Sequence, residues 1–355
     1  MRFPLPFDRG FGEPPGMPNP FRVVNIDCNF DYPYERDRLA PLGIELVLRK
    51  AVTEDEIIAA CVDADAVFLE GTKTPMNARV IGALPPRCRL IAKYAVGVDN
   101  VDVAAATRAG IVVANAADFC TEEVSDHAVA LILAAARQVV SLDRHVHAGR
   151  WTGFVGTRPL RRMSELTLGF VGLGRIARAT VRKMSGFRMR LIASDPYLQG
   201  ASPEAGVILM PFDQVLAESD IVSVHVPLSS QTRGLINEAA LRQMKPTGLL
   251  VNTSRGPIVD EAALVRALRE KWIAGAALDV VEVEPLPADS PLRDFDQVIL
   301  TPHRGADSVD SLAHVRRTMV ESVVAVAQGF WPPFTFNPQV TPRVALRPLA
   351  EAPRF

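Results

Sequence analysis

The chain has no excess of charge of either sign: 39 Lys and Arg stand against 40 Asp and Glu, for a net charge of −1. Nucleic acids and anionic lipid surfaces are bound by neutralising phosphates, so this balance argues against both as partners. Long apolar runs are missing too. The longest, AVALILAAA at 128–136, falls well short of the ~20 residues that cross a bilayer. The first twenty residues, MRFPLPFDRGFGEPPGMPNP, have no unbroken apolar core of the kind that directs secretion. Rich in Pro and Gly, they read as an extended N-terminal arm, 1–20. Cysteine is scarce and scattered. Cys28, Cys61, Cys88 and Cys120 fit neither a metal clip nor a disulfide framework, so no metal site is expected and the thiols read as reduced, in a cytoplasmic protein. No short-period repeat is present.

What is there is an alternation of strands and helices. A length of 355 residues suggests two domains, because single cores rarely grow beyond ~250–300 residues. From Phe21 onward, short apolar strands are expected near 21–26, 66–69, 89–92 and 111–114, with helix-like stretches such as TEDEIIAAC (53–61) between them. A long helix is expected over 124–140, apolar nearly all round and therefore buried. A second alternating series follows, with strands near 168–171, 190–194, 220–226, 248–252, 276–280 and 298–301, and a last helix over about 307–328. The fold class is α/β, built on parallel sheets covered on both faces.

One segment in the middle carries chemistry. TLGFVGLGRIA, 167–177, is an apolar strand ending in Gly172-Leu173-Gly174 and running into a helix-compatible stretch at Arg175. Asp195 closes the next apolar run, RLIAS. Strand, glycine turn, helix, strand and acidic residue form the dinucleotide-binding fingerprint. Gly172 permits the tight turn, Gly174 lets the backbone approach a pyrophosphate, and Ala177 allows close helix–strand packing. A carboxylate at Asp195 accepts hydrogen bonds from a ribose 2′-hydroxyl and repels a 2′-phosphate, so the expected cofactor is NAD.

Ligands of open α/β sheets bind beyond the carboxyl ends of the strands. Three titratable residues follow such ends: Arg255 in NTSRG, Glu284 in VVEVEP and His303 in TPHRG. Together they suit hydride transfer to or from a carboxylate-bearing substrate. A histidine handles the proton near neutral pH. A glutamate orients it and favours its protonated form. An arginine grips a carboxylate with two parallel donors.

The segments GLGRIA, HVPLSSQTRGLIN, MKPTGLLVNTSRGPIVDEAALVRAL, IAGAALDVVEVEP and VILTPHRG resemble the D-isomer-specific 2-hydroxyacid dehydrogenase family. In detail they look like the bacterial relatives of C-terminal-binding protein and phosphoglycerate dehydrogenase. The first half matches as well, through KYAVGVDNVDVAAATRAGIVVANAADFCTEEVSDHA. The resemblance implies Arg255 as the substrate-carboxylate binder, His303 as acid/base and Glu284 as its partner, with Val96 and Gly97 donating backbone amides to the carboxylate. It places Arg175 and Ile176 at the pyrophosphate, Asp195 at the adenine ribose, and Thr232, Thr253 and Asp279 along the cofactor.

The resemblance also implies two Rossmann-like domains: a cofactor domain, 119–306, inserted into a flavodoxin-like substrate domain of 21–118 and 307–355, with closure of the cleft excluding water. The expected protein is an NAD-dependent dehydrogenase of a small 2-keto or 2-hydroxy acid and a homodimer. The alternative is a non-catalytic, NAD-sensing corepressor-like dimer that binds proteins. Some positions depart from the family: Ala95 replaces a usual glycine, Lys93 a common arginine, and Arg304-Gly305-Ala306-Asp307 follows His303 where corepressor-like relatives carry aromatics. The missing aromatic wall argues against a bulky keto acid, and the single Lys73 against a phosphorylated one. Trp151, in HAGRWTG, is expected to pack.

Overall fold

The computed structural model describes residues 20–71, 73–151, 159–200 and 202–351; apart from Pro20, the N-terminal arm lies outside them. The chain divides into two units, one made of the residues up to Phe119 and from Val309 onward, the other of Cys120–Ser308.

The first unit is a five-stranded parallel sheet in the order β2-β1-β3-β4-β5. Its strands are β1 (Phe21–Asn25), β2 (Ile44–Leu48), β3 (Ala66–Leu69), β4 (Leu90–Lys93) and β5 (Val112–Asn115), and between them run α1 (Pro33–Leu39), α2 (Glu54–Ala60), α3 (Ala78–Ala83) and α4 (Val103–Arg108). β3, β4 and β5 are buried at every position. That is why their sequences are apolar runs rather than alternations, broken only by the last residue of β4, Lys93, and of β5, Asn115: parallel strands are covered on both faces. Sequence reading does not find β2, an edge strand whose last four residues are all partly exposed. The expected helix over 53–61 is α2. Thr53 is its cap: the hydroxyl accepts from the Glu56 N–H at 3.4 Å, and the Glu56 carboxylate accepts from the Thr53 N–H at 2.9 Å, a reciprocal arrangement that satisfies two otherwise orphaned donors.

The second unit opens with α5 (Thr121–Arg137) and α6 (Val139–His147). The single long helix expected over 124–140 is corrected here. α5 ends at Arg137, Gln138 takes a left-handed conformation at φ 53°, and α6 continues at a bend of 64°. Nor is α5 buried all round. One face, Val124, Ser125, Ala128, Leu131, Ile132, Ala135 and Ala136, is buried, while Glu122, Asp126 and Ala130 are exposed. Trp151, expected to pack, is 82% exposed among the described residues. Among the described residues no single helix is long and apolar enough to cross a membrane.

A seven-stranded parallel sheet follows, in the order β12-β11-β10-β9-β6-β7-β8. Its elements are β6 (Thr167–Val171), α7 (Arg175–Met184), β7 (Arg190–Ser194), β8 (Val207–Leu209), α8 (Phe212–Glu218), β9 (Ile221–Val224), α9 (Glu238–Gln243), β10 (Leu249–Asn252), α10 (Glu261–Arg269), β11 (Gly275–Leu278) and β12 (Val298–Leu300). β8, three residues long at one edge, is the other strand that sequence reading does not find. One face of the sheet packs with α5 and α7 around Leu131, Leu168, Phe170, Ala177 and Val181. The other packs with α8, α9 and α10 around Leu216, Leu241, Leu250 and Leu264.

The last helix, α11 (Val309–Ala327), returns to the first unit. Val315, Met319, Val320, Val323 and Val324 cover the face of the five-stranded sheet made by Phe21, Val23, Phe68 and Leu90. Both units are thus parallel sheets between two layers of helices, the α/β architecture expected from the sequence.

Candidate active site

β6 ends at Val171 and α7 starts at Arg175, so the chain reverses within three residues. Gly172 makes this possible at φ +90°. A Cβ there would also lie 2.9 Å from Val226 Cγ1 and 3.0 Å from Val226 N, so any other residue is excluded twice over. Gly174 is the reverse case. It precedes the first residue of α7, and nothing lies within 4 Å of the point where its Cβ would sit. Open space there, beside the N–H groups that begin a helix, suits an anionic group. Arg175 is exposed and Ile176 half-buried on the first turn. Ala177 is buried among Leu168, Phe170 and Leu173, the close contact that the fingerprint requires.

Asp195 lies where the fingerprint puts it. Its Oδ2 accepts from the Leu173 N–H at 2.9 Å and its Oδ1 from the Tyr197 N–H at 3.0 Å. Thr253, past the end of β10, has a buried hydroxyl with no hydrogen-bond partner among the described residues. An orphaned buried hydroxyl is costly unless a ligand meets it. Together with the space at Gly174, it fits a bound dinucleotide. Thr232 is engaged otherwise: its hydroxyl donates to Pro227 O at 2.6 Å and accepts from the Ser229 N–H at 2.8 Å, closing its own loop.

The three strand-end residues follow β10, β11 and β12, which are neighbours in the sheet. The parallel pairing continues past the strand ends. The Asp279 N–H donates to Asn252 O at 3.0 Å, and the His303 N–H to Asp279 O at 2.7 Å. Adjacent strands lie ~4.8 Å apart, so residues in these three loops are brought together by the sheet itself. His303 Nδ1 is 2.7 Å from Glu284 Oε2. A carboxylate only accepts, so the proton between them sits on Nδ1, and Nε2 points away from Glu284. Burial works against an ionised Glu284. The hydrogen bond and charge of His303, the Val281 N–H and the charge of Arg255 outweigh it and hold its pKa below the ordinary value. The Glu284–Pro285 peptide bond is cis.

Arg255 has extended backbone, and its carbonyl is held by Asn252 Nδ2 at 2.9 Å. One signal was missed in sequence reading. The glycine after Arg255 is required by packing: a Cβ on Gly256 would lie 1.8 Å from Val281 O. The loop that carries Arg255 therefore rests on the loop that carries Glu284. Also missed were His127 and Thr301, which surround Asp279. The Asp279 carboxylate, 3% exposed, accepts from Thr301 Oγ1 (2.6 Å), Arg304 N–H (3.0 Å) and Gly305 N–H (2.9 Å), and His127 Nε2 is 3.2 Å away. Burial alone would raise its pKa, but these partners hold it down at about 2.

Val96 and Gly97 lie in the first unit, in the loop after β4, where Asn115 Nδ2 binds Val96 O at 2.7 Å. Lys93 is buried, and its ammonium donates to Glu70 O at 3.1 Å and Gly71 O at 2.5 Å. Arg304 is exposed and forms an ion pair with Asp307 at 2.5 Å. Among the described residues no group of three or more His, Cys, Asp or Glu side chains is placed to hold a metal ion.

The family model described as "D-isomer specific 2-hydroxyacid dehydrogenase, NAD binding domain" matches residues 129–305. The glyoxylate reductase of Korarchaeum cryptofilum is 43% identical over 331 residues, 92% of this chain and 94% of that protein. The D-3-phosphoglycerate dehydrogenase of Archaeoglobus fulgidus is 37% identical over 82% of this chain but only 55% of its own length. Among solved structures, an NADPH-dependent glyoxylate/hydroxypyruvate reductase from Sinorhizobium meliloti, in complex with NADP and malonate, superposes with a TM-score of 0.80. It is 29% identical, covering 92% of this chain and 99% of that one.

Proposed function

The chain belongs to the D-isomer specific 2-hydroxyacid dehydrogenase family, and from that membership we propose that it reduces a small 2-keto acid of the glyoxylate class at the expense of NADH. The observation that carries the proposal is the His303 Nδ1–Glu284 Oε2 pair at 2.7 Å, one strand end away from Arg255. The chemistry the cofactor would supply when bound is hydride transfer, NADH giving the hydride in reduction and NAD accepting it in oxidation. Gly172, Gly174, Arg175, Ile176, Asp195, Thr253 and Asp279 are the residues proposed to hold it, with Thr232 shaping the loop beside them.

Arg255 grips the substrate carboxylate and sets the keto carbon in place. His303, protonated, donates from Nε2 to the carbonyl oxygen as it gains electrons, while the Glu284 carboxylate accepts from the protonated Nδ1 and stabilises the cation. In the oxidative direction the same nitrogen takes the hydroxyl proton. A short, unphosphorylated side chain is favoured because the guanidinium of Arg304 is already paired with Asp307.

The test is NADH oxidation with glyoxylate, hydroxypyruvate, pyruvate and 2-ketoglutarate. Glyoxylate or hydroxypyruvate should turn over fastest, and no turnover of any of the four overturns the proposal. His303→Gln should lower turnover by about 10²–10⁴-fold, the usual share of acid/base catalysis, with NADH binding near normal.

A cytoplasmic homodimer is part of the same proposal. It is supported by four free cysteines and by Val139, Leu142 and Val146, exposed apolar residues along α6. Light scattering after size exclusion decides the oligomeric state.

A further inference from the structure

The backbone of His303 is itself unusual. Its φ is +55°, a left-handed conformation that costs a non-glycine residue energy and persists only where its surroundings impose it. What imposes it here is Asp279. The Asp279 carbonyl accepts from the His303 N–H at 2.7 Å. Its carboxylate accepts from Thr301 two residues before, and from the Arg304 and Gly305 N–H groups just after. One buried residue thus grips the turn on both sides of His303.

Asp279 is in turn held by a residue from elsewhere in the unit. His127, on α5, places Nε2 3.2 Å from Asp279 Oδ1 and 3.0 Å from Thr301 Oγ1. The carboxylate can only accept, and the Thr301 hydroxyl already gives its proton to it. Nε2 must therefore carry a proton and donate. The carbon side of the same ring closes the other flank: a Cβ added to Gly305 would meet Asp279 Oδ2 at 2.9 Å and His127 Cδ2 at 3.4 Å. α5 is anchored by Leu131, Ile132 and Ala135, packed against β10 and β11 residues such as Leu249, Val251 and Ala277. The imidazole is therefore delivered by a fixed element rather than by the mobile part of a loop.

We infer that His127, acting through Asp279 and Thr301, is a positioning residue for His303: it fixes the 301–305 turn in the strained conformation that presents the acid/base imidazole. The inference rests on the acid/base reading of His303 above, but it makes a structural claim of its own that can be measured without turnover.

The experiment compares wild type, His127→Ala, His127→Gln and Thr301→Val. It uses NADH-dependent keto-acid kinetics, NADH binding by fluorescence, and amide hydrogen exchange of the 301–305 segment. His127→Ala should lower kcat about 10- to 100-fold, the scale of a misplaced catalytic group. KM and NADH affinity should stay within about 3-fold, and exchange at Arg304 and Gly305 should accelerate. His127→Gln keeps a donor at the end of its side chain and should recover most of kcat and of the protection. Thr301→Val keeps the shape of the bridge without its proton and should reproduce the kcat loss, which covers the case of an unstable His127→Ala. Wild-type kcat in both His127→Ala and Thr301→Val, or faster exchange with unchanged kcat, overturns the positioning role. If wild type turns over none of the keto acids, the acid/base reading falls. Exchange then decides the remainder: acceleration in His127→Ala upholds the grip on the turn, and wild-type exchange removes it.

Discussion

Asp195 already accepts two backbone N–H groups, Leu173 through one oxygen and Tyr197 through the other. Its charge is therefore fixed beside the Gly172–Gly174 turn rather than free to swing away from a ligand. A fixed carboxylate at that point repels a 2′-phosphate and accepts from a 2′-hydroxyl. Among solved neighbours one is NADPH-dependent and another is complexed with NAD, so the fold alone does not fix the choice. Asp195→Ala should lower the NADH-over-NADPH ratio of kcat/KM by at least about 10-fold, the value of one charge-assisted hydrogen bond. Some loss of NADH affinity should follow as well, because the Leu173 N–H loses its partner. An unaltered ratio would place cofactor choice elsewhere. This residue was legible in the sequence because its spacing from a glycine turn is set by one strand–helix–strand unit. His127 was not. It lies on an ordinary amphipathic helix far from the fingerprint, and only folding brings it to Asp279.

At the scale of elements, the site exists because β10, β11 and β12 are adjacent and their end loops stack. Gly256 is the point of closest approach. Its φ is ordinary, so no turn propensity announces it, and the reason for a glycine is the Val281 carbonyl 1.8 Å from a would-be Cβ. Sequence reading found Arg255, one position before, from its chemistry, and passed over Gly256 because a contact with a distant backbone leaves no local pattern. Gly256→Ala must push the two loops apart. It should destabilise the protein by roughly 1–3 kcal/mol, the usual range for overpacking. It should also raise the KM for keto acid several-fold more than that for NADH, since Arg255 moves with the loop. Thermal unfolding and steady-state kinetics check both, and a variant with wild-type stability and KM refutes the contact. The elements that sequence reading missed, β2 and β8, are edge strands with partly exposed faces. The break at Gln138 was missed for a different reason: a lone glutamine in a left-handed conformation carries no glycine or proline to mark it.

On the scale of the whole molecule, the chain leaves its first unit at Phe119 and returns to it at Val309, so the first unit is complete only when the C-terminal helix comes back. Apolar burial supplies most of that return, through Met319, Val323 and Val326. A buried ion pair joins the same helix to α1. Arg316 on α11 donates from Nε (2.8 Å) and Nη2 (2.6 Å) to the two carboxylate oxygens of Glu35 on α1, a residue with no solvent exposure, and Nη2 also meets Asp31 O at 2.8 Å. A bidentate pair of this kind is geometrically selective. Its members are not independent: removing one leaves a buried charge without a counterion, at a cost of about 3–5 kcal/mol. Replacing both with apolar side chains of similar size is nearly neutral by the same reasoning. Arg316→Met should therefore lower the melting temperature by roughly 6–20 °C, at the ~2–4 °C per kcal/mol expected for units of this size. Faster hydrogen exchange in α1 and α11 should accompany the drop. The double variant Glu35→Leu, Arg316→Met should recover most of the loss. If the single and double variants melt alike, burial of the helix alone holds the first unit together.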